Sequence, residues 1–144
     1  MNTFDSSQFQ IRRAVPQDAA ILAAHRRLMF IDLGHRDEGK LEGEEYLAWF
    51  AVTEDRVVSG VGLWIREWII NPNDLSGKEG YVGNVYTDPK YRRRGCARAL
   101  MQVLIRWCQE NGIKGLFLRP SEAAGELYTS LGFEADNVLY KRLR

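Results

Sequence analysis

Hydrophobic and polar positions alternate with a period of two near the beginning of the chain and then change to a helical period. Residues 9–13 alternate as a half-buried strand does. Pro16 and Asp18 suit the first turn of a helix that follows. The inward face of this helix is predicted to comprise Ile21, Ala24, Leu28 and Ile31. The chain is therefore expected to begin with one strand and one amphipathic helix.

Two stretches rich in aromatic and β-branched residues, 46–52 and 57–68, follow and indicate strands. The four residues 53–56 that separate them predict a hairpin. The polar segment 34–45 has room for a short second helix, and residues 71–77 mark a loop because they are rich in turn-forming types.

The second half of the chain shows a strand-helix order twice. Strand 81–87 precedes a helical pattern over 94–111, and strand 116–118 precedes a last helix that Gly132 ends. Ser121 is a suitable N-cap for that last helix. The apolar faces comprise Cys96, Leu100, Val103, Leu104 and Trp107 in the longer helix, and Ala124, Leu127, Tyr128 and Leu131 in the last one.

These elements predict one α/β (α+β) domain over residues 1–144, with a mixed central sheet of six to seven strands. Residues 133–143 supply the last one or two of those strands. Helices are expected on both faces of the sheet, because strands and helices alternate along the second half. The connection from strand 81–87 to strand 116–118 passes through a helix, and such right-handed crossovers make the two strands parallel.

Composition and charge narrow the range of functions. The chain is 45% hydrophobic and 27% charged, and its 20 basic and 19 acidic residues leave a net charge of +1. No global field therefore favours nucleic acid or a membrane surface, so any anion site must be local. Cys96 and Cys108 lie too far apart on one predicted helix to form a disulfide. With no leader or bilayer-spanning stretch and no metal-ligand spacing, we expect a cytoplasmic protein without a metal.

A local anion site is predicted in the stretch Arg92-Arg93-Arg94-Gly95-Cys96-Ala97, where a strand gives way to a helix. Gly95 lets a ligand approach the backbone at a helix amino terminus, where unpaired N–H groups favour anions. The arginines add bidentate donors for phosphate oxygens, so a diphosphate is the expected guest. The lysine of nucleotide-hydrolysing loops and the glycine spacing of dinucleotide-binding folds are both missing, which disfavours those two functions.

The same stretch resembles the coenzyme A signature of the GNAT N-acetyltransferase family, Arg/Gln-x-x-Gly-x-Gly/Ala. Residues 84–89, NVYTDP, resemble the family's pyrophosphate-adjacent strand and turn, and residues 127–133, LYTSLGF, resemble its later helix. The likeness therefore extends over residues 81–133. It implies the GNAT acyl-CoA N-acyltransferase fold, with two parallel strands that splay apart and acetyl-CoA as cosubstrate.

The resemblance also implies which residues contact acetyl-CoA. A bulge in the strand would expose backbone groups at 85–87 to the thioester and pantetheine, and the backbone of 93–98 would bind the pyrophosphate. The implied cofactor-binding set comprises Val85, Tyr86, Thr87, Arg92, Arg93, Arg94, Gly95, Cys96, Ala97, Arg98 and Ser121. A free N–H of Val85 or Tyr86 would stabilise the oxyanion that forms when an amine attacks. Ser121 stands where many members of the family carry asparagine.

The implied reaction is direct transfer of an acetyl group, in a ternary complex, to a primary amine of a small molecule or peptide. Tyr128 matches the family's frequent general acid, and an ordinary tyrosine pKa of about 10 keeps it protonated at neutral pH. The amine must lose a proton before it attacks, but Glu67, Glu79 and Asp88 are only weak candidates for the base. Asn84 is expected either to orient the acceptor amine or to satisfy backbone groups at the bulge.

Other interpretations remain. A non-catalytic coenzyme A-binding sensor or regulatory domain is the main alternative, because no clear base is present. A nucleic-acid-binding module is disfavoured, since the arginines do not extend into a basic stripe with stacking aromatics. His25 and His35 are more typical of surface or core residues than of bases, and Cys96 of a small packing residue than of a nucleophile. The acceptor amine, the use of other acyl groups and the oligomeric state, including a homodimer, stay open.

Overall fold

The computed structural model describes residues 4–32, 45–67, 72, 75–136 and 138–143, and residues 26–32 and 45 by their backbone alone. The strands are β1 (Gln10–Arg13), β2 (Glu45–Thr53), β3 (Arg56–Glu67), β4 (Lys78–Thr87) and β5 (Leu116–Phe117). The α-helices are α1 (Ala19–Asp32), α2 (Cys96–Glu110) and α3 (Gly125–Ser130). Single 3-10 turns at Pro16–Asp18, Pro89–Tyr91 and Glu122–Ala124 precede the three helices.

The strands form one mixed sheet in the order β1-β2-β3-β4-β5. The first three pairings are antiparallel, and β4 pairs with β5 in parallel, as the crossover rule predicts. The predicted hairpin joins β2 to β3. Glu54 and Asp55 at its tip have φ values of 51° and 62°, which match the twist of the flanking strands.

Helices cover both faces of the sheet, as predicted. Neighbouring residues of a strand point to opposite faces. In β2, the Trp49 ring lies 5.9 Å from that of Trp107 in α2, whereas the Phe50 ring lies 5.8 Å from that of His25 in α1. Helix α1 therefore packs on one face of the sheet and α2 on the other.

Helix α2 supplies much of the core through the predicted apolar face. Cys96, Leu100 and Leu104 are buried, and Val103 and Trp107 pack against them. Helix α2 ends at Asn111 and the left-handed Gly112, as the sequence predicts. The last helix, α3, buries Tyr128 and ends before Gly132, whose φ is 92°.

The described part of 133–143 contains none of the predicted closing strands. The sheet of the described residues therefore has five strands instead of the predicted six or seven. Val138, Leu139, Tyr140 and Leu143 are exposed. The two-residue β5 is too short to align a further strand along its edge.

Several predictions fall on residues that lie outside the described ranges. This group comprises the second helix within 34–45, residues 71, 73 and 74 of the predicted loop, the side chains of Leu28 and Ile31, and the end of the third predicted strand at Trp68. In the described residues, no helix combines the length and apolar character needed to cross a bilayer.

Candidate active site

Strand β4 contains a bulge at the position that the resemblance implies. Gly60 of β3 pairs with Tyr86 and Gly62 pairs with Gly83, so the single residue between the two glycines faces both Asn84 and Val85. Asn84 has a φ of 52°, which an asparagine tolerates better than most residues do. The extra residue turns the backbone of β4 locally.

Strands β4 and β5 separate immediately after they meet. They pair only where Gly80 faces Leu116 and Tyr81 faces Phe117. From Val82 to Thr87, β4 continues alongside β3, and no described strand covers its other edge. The splayed pair that the resemblance implies is thus present, and we call the gap between β4 and β5 beside the bulge the cleft.

The loop that follows β4 enters α2 through two left-handed residues. Arg93 has a φ of 62° and Gly95, the N-cap of α2, a φ of 79°. The first N–H groups of an α-helix have no partner within the helix. Cys96 is buried at this end, while Ala97 and Arg98 are half-buried. The first turn of α2 therefore presents backbone donors and the positive end of its dipole to an anion.

The arginine side chains hold this loop in place as well as adding charge. Arg92 donates from Nε to the carbonyl oxygen of Thr87 at 2.9 Å, and its guanidinium lies 5.8 Å from the ring of Tyr86. The Arg94 guanidinium lies over the ring of Tyr91 at 5.3 Å. These contacts hold the charges of Arg92 and Arg94 in the loop that follows β4.

Helix α3 is tied to α2 beside this loop. Arg98 donates to Ser130 Oγ at 2.9 Å, and that hydroxyl in turn donates to the carbonyl oxygen of Leu127 at 2.6 Å. Tyr128, the next residue, is 7% exposed, and its ring meets the edge of Phe133 at 5.7 Å. Burial raises the pKa of Tyr128, so the phenol stays protonated at neutral pH.

The structure does not strengthen the case for any of the weak candidates for a general base. Asp88 accepts from the backbone N–H of Lys90 at 3.0 Å and forms an ion pair with Arg56 at 2.7 Å. Glu67 is exposed at the end of β3, and Glu79 faces Arg66 across the β3–β4 pairing. The part of the chain that the structure describes contains no cluster of three His, Cys, Asp or Glu side chains able to hold a metal.

The two cysteines are free and buried. Burial raises the pKa of the Cys96 thiol and raises that of Cys108 to about 11. Both thiols are therefore protonated at neutral pH, which is unfavourable for a nucleophile. Ser121 occupies the N-cap position of the Glu122–Ala124 turn, but its side chain makes no capping hydrogen bond.

Asn84 is 4% exposed and its amide points to the face of the sheet that α1 covers. Its Nδ2 donates to the carbonyl oxygen of Leu22 at 3.3 Å and to the hydroxyl of Tyr46 at 3.2 Å. These bonds tie the amide to α1 and β2, and neither partner is a backbone group of the bulge, which the structural alternative had named. A contact with an acceptor amine stays a prediction.

His25 is the polar residue whose position the sequence did not predict. It is 7% exposed, its ring lies 5.1 Å from that of Tyr86, and its Nδ1 has no partner among the described residues. Its spacing of four residues from Ile21, which is on the inward face of α1, is the sequence pattern that indicates an inward position. Tyr46, which binds the Asn84 amide, was likewise assigned only to a strand.

Comparisons with known proteins agree with this geometry. The profile of the acetyltransferase (GNAT) family matches residues 13–133. The ribosomal protein bS18-alanine N-acetyltransferase of Escherichia coli strain K12 is 43% identical over 63 residues, which are 42% of this chain and 43% of that protein. The match therefore spans less than half of the relative's length.

Two solved structures share the fold. The GCN5-related N-acetyltransferase of Ralstonia eutropha JMP134 has a TM-score of 0.82 at 24% identity, over 94% of this chain and 98% of that one. An acetyltransferase of Clostridium acetobutylicum, solved with acetyl-CoA, has a TM-score of 0.84 at 20% identity, over 94% and 96% of the two chains. With a profile match over most of its length and the splayed, bulged cleft described above, the chain belongs to the acetyltransferase (GNAT) family.

Proposed function

We propose that this protein is an acetyl-CoA-dependent N-acetyltransferase that acetylates a primary amine of a small molecule or peptide by direct transfer. The observation that carries the proposal is the joining of two features in one cleft. The left-handed turn at Gly95 presents helix N–H groups to an anion, and the uncovered edge of β4, residues 82–87, leads into the loop that ends at that turn. A diphosphate and an extended amide chain fit these two features respectively.

The residues present fit acetyl-CoA, which supplies the activated acetyl thioester. The backbone N–H groups of 93–98 would hold the pyrophosphate, with the charges of 92–94 beside them. Arg92 is already fixed to Thr87, so its charge needs no reordering when the ligand binds. The open edge of β4 would hold the amides of the pantetheine by backbone hydrogen bonds.

Alternation along β4 selects Val85 as the donor for the thioester carbonyl. The N–H of Asp88 points to β3, where it donates to the carbonyl oxygen of Val58 at 2.8 Å. The carbonyl of Thr87 points away from β3 and accepts from Arg92. Successive residues of a strand direct their backbone groups to opposite edges. Val85 therefore shares the open edge with Thr87, whereas Tyr86 faces β3, and a Val85 N–H would polarise a carbonyl in the cleft.

Tyr128 would protonate the departing thiolate. Its burial keeps the phenol neutral, and its helix is attached to the turn through Arg98 and Ser130. A phenol with a raised pKa does not ionise at neutral pH, so it retains the proton that the thiolate requires.

The proposal also includes a single domain over residues 1–144 and a cytoplasmic location. Two free thiols in the core are typical of a reducing compartment. A net charge of +1 supplies no strong field that would favour nucleic acid as a partner.

An acceptor screen tests the proposed function. The protein would be mixed with acetyl-CoA and a panel of amines that includes peptides beginning with alanine, polyamines and amino sugars, and the release of free thiol would be recorded. We expect release that depends on both the protein and one class of amine. Tight acetyl-CoA binding without transfer to any amine would instead support the coenzyme A-binding sensor.

A further inference from the structure

Two buried polar atoms between α1 and β4 have no hydrogen-bond partner among the described residues. They are Nδ1 of His25 and Oδ1 of Asn84, on side chains that are 7% and 4% exposed. Leaving one such atom unpaired costs about 1–3 kcal/mol, so buried polar atoms usually bind a water or a ligand group. Two such atoms at one helix-strand contact indicate a polar site.

His25 Nδ1 and the Tyr46 hydroxyl lie above two glycines of β3. A Cβ on Gly60 would lie 3.0 Å from His25 Nδ1, and a Cβ on Gly62 would overlap the hydroxyl of Tyr46. That hydroxyl accepts a hydrogen bond from Asn84 Nδ2 at 3.2 Å. Gly60 and Gly62 lie on the same face of β3 because they are two residues apart. We call His25, Asn84 and Tyr46 the polar row.

The polar row lies beside the bulge at which the thioester is proposed to bind. Asn84 is itself the residue with positive φ in the bulge. Gly60, beneath His25 Nδ1, pairs with Tyr86, and the rings of His25 and Tyr86 are 5.1 Å apart. Asn84 directly precedes Val85 in β4, and His25, above Gly60 of β3, is roughly one strand spacing of about 5 Å from the β4 backbone.

We propose that a water held between His25 Nδ1 and Asn84 Oδ1 takes the proton that the acceptor amine must lose, and that His25 receives it. This inference rests on the proposed function. The water donates one hydrogen to each of the two atoms, which leaves its oxygen to accept a hydrogen bond from the substrate ammonium. One N–H bond of the ammonium breaks as an O–H bond forms on the water. At the same time the O–H bond of the water that is directed at His25 breaks, and an N–H bond forms on Nδ1.

The charge thus moves from the amine to the imidazole, and the amine regains the lone pair with which it attacks. His25 can take this proton only while it is neutral. Burial lowers the pKa of His25, and the Asp88 carboxylate opposes that effect, so the imidazole is neutral at pH 7. Several charged or titratable groups of the described residues lie around His25 and its packing partners. Arg12 lies over the ring of Phe50, and Arg92 lies over the ring of Tyr86. The others are Asp88, Tyr46 and Tyr86.

The pH dependence of turnover tests this inference. The kcat/KM of the wild-type enzyme should fall in acid with an apparent pKa below 6.5, and the same pKa should appear when the His25 ring is titrated by NMR in the free protein. The variant His35→Gln assigns the signal, because the chain has two histidines. His25→Gln keeps a polar side chain that does not ionise. It should lower kcat about 100-fold at pH 7.5 and abolish the acidic limb, with an unchanged acetyl-CoA Kd in calorimetry.

The outcomes separate the inference from the proposed function. A folded His25→Gln enzyme that keeps the acidic limb and works within twofold of wild type would overturn the role of His25 alone. A mismatch between the wild-type kinetic pKa and the NMR pKa would do the same without any variant. If His25→Gln does not fold, His25→Asn, whose oxygen can replace Nδ1 as an acceptor, carries the comparison. Wild-type protein that acetylates no amine would overturn the proposed function and this inference with it.

Discussion

As the proposed proton donor, Tyr128 would have to hold a proton in a buried position and release it into the cleft. Its pKa is raised by burial, and its helix is fixed to α2 by the Arg98–Ser130 hydrogen bond. The phenol therefore combines a stable protonation state with a fixed location. This combination is what a proton donor for a leaving thiolate requires.

Replacing Tyr128 with phenylalanine should lower kcat by a factor of about 100, because a positioned proton donor contributes roughly that much or more. The acetyl-CoA Kd should change little, since the ring still packs against Phe133. Steady-state kinetics and calorimetry measure the two quantities. Tyr140→Phe, at an exposed position, serves as the matched control. Equal turnover of the Tyr128 and Tyr140 variants would remove Tyr128 from the mechanism.

Asn84 combines an unusual backbone conformation with a buried amide, and two variants distinguish these properties. Asn84→Ala loses both amide bonds and also places alanine at a φ of 52°, whereas Asn84→Gly loses only the bonds. Asn84→Ala should therefore be less stable than Asn84→Gly by about 1 kcal/mol in urea unfolding. An acceptor contact would in addition raise the KM for the amine in both variants. Wild-type stability of Asn84→Ala would refute the structural role.

Motif residues were easier to predict than residues placed by tertiary packing. The turn at Gly95 and the ends of α2 follow from local rules of backbone geometry, and these rules can be applied to sequence alone. His25 and Tyr46 meet Asn84 only because three distant segments come together at the bulge. The spacing of His25 from Ile21 indicates an inward position, but no local pattern shows which side chains of other segments it meets, so the polar row could not be predicted.

Among the elements, the β4–β5 pair determines the shape of the cleft. The two strands are in register for only two residue pairs, and Gly80 lies at the first of them. A Cβ on Gly80 would lie 2.6 Å from Leu116 Cδ2 and 2.8 Å from Leu63 Cδ1. Close packing at this point holds the strands together before they diverge.

Gly80→Ala should destabilise the protein by about 1–3 kcal/mol, because the added methyl group must displace packed leucine side chains. Gly115→Ala is the matched control: a Cβ there would meet nothing within 4 Å. It should change the free energy of unfolding by less than about 0.5 kcal/mol. Urea denaturation compares the two variants, and equal stability would show that the contact at Gly80 can relax freely.

Element prediction succeeded where the periodicity was long and failed where pairing depended on a neighbour. Helix α2 matches its predicted span to within two residues at its start, because 15 residues of amphipathic pattern precede a glycine stop. Residues 133–143 contain scattered apolar positions that resemble strands, but β5 offers only two residues beside them. A strand without a partner edge is not formed, whatever its sequence pattern.

For the whole molecule, two buried or ion-paired groups predict how stability depends on pH. Hydrogen bonds from Arg12 and from the backbone of Val15 lower the pKa of Asp18 to about 2 from its ordinary 3.8. Its contribution is therefore complete above about pH 4 and is lost as the pH falls toward 2. The pKa of His25 is also lowered, from 6.5, so its contribution is complete above that value and is lost as the pH falls below it.

Thermal unfolding between pH 8 and pH 3 should accordingly show two losses of stability. His25→Gln should remove the decline that begins below pH 6.5, and Asp18→Asn should flatten the curve below pH 4. Each variant should leave the other decline in place, because hydrogen bonds lower the pKa of Asp18 whereas burial lowers that of His25. A wild-type melting temperature that is constant from pH 7 to pH 5 would contradict the burial of a neutral His25.

The central claim is that one cleft, between the Gly95 turn and the open edge of β4, binds acetyl-CoA and transfers its acetyl group to an amine. Mass spectrometry of the products formed by wild-type protein and Gly95→Glu tests it most directly. Glutamate at a φ of 79° would place a side chain and a negative charge where the pyrophosphate is expected. Wild type should form one acetylated amine per free thiol, and folded Gly95→Glu should form none. Equal product from the two proteins, or none from wild type with any amine, would contradict the account.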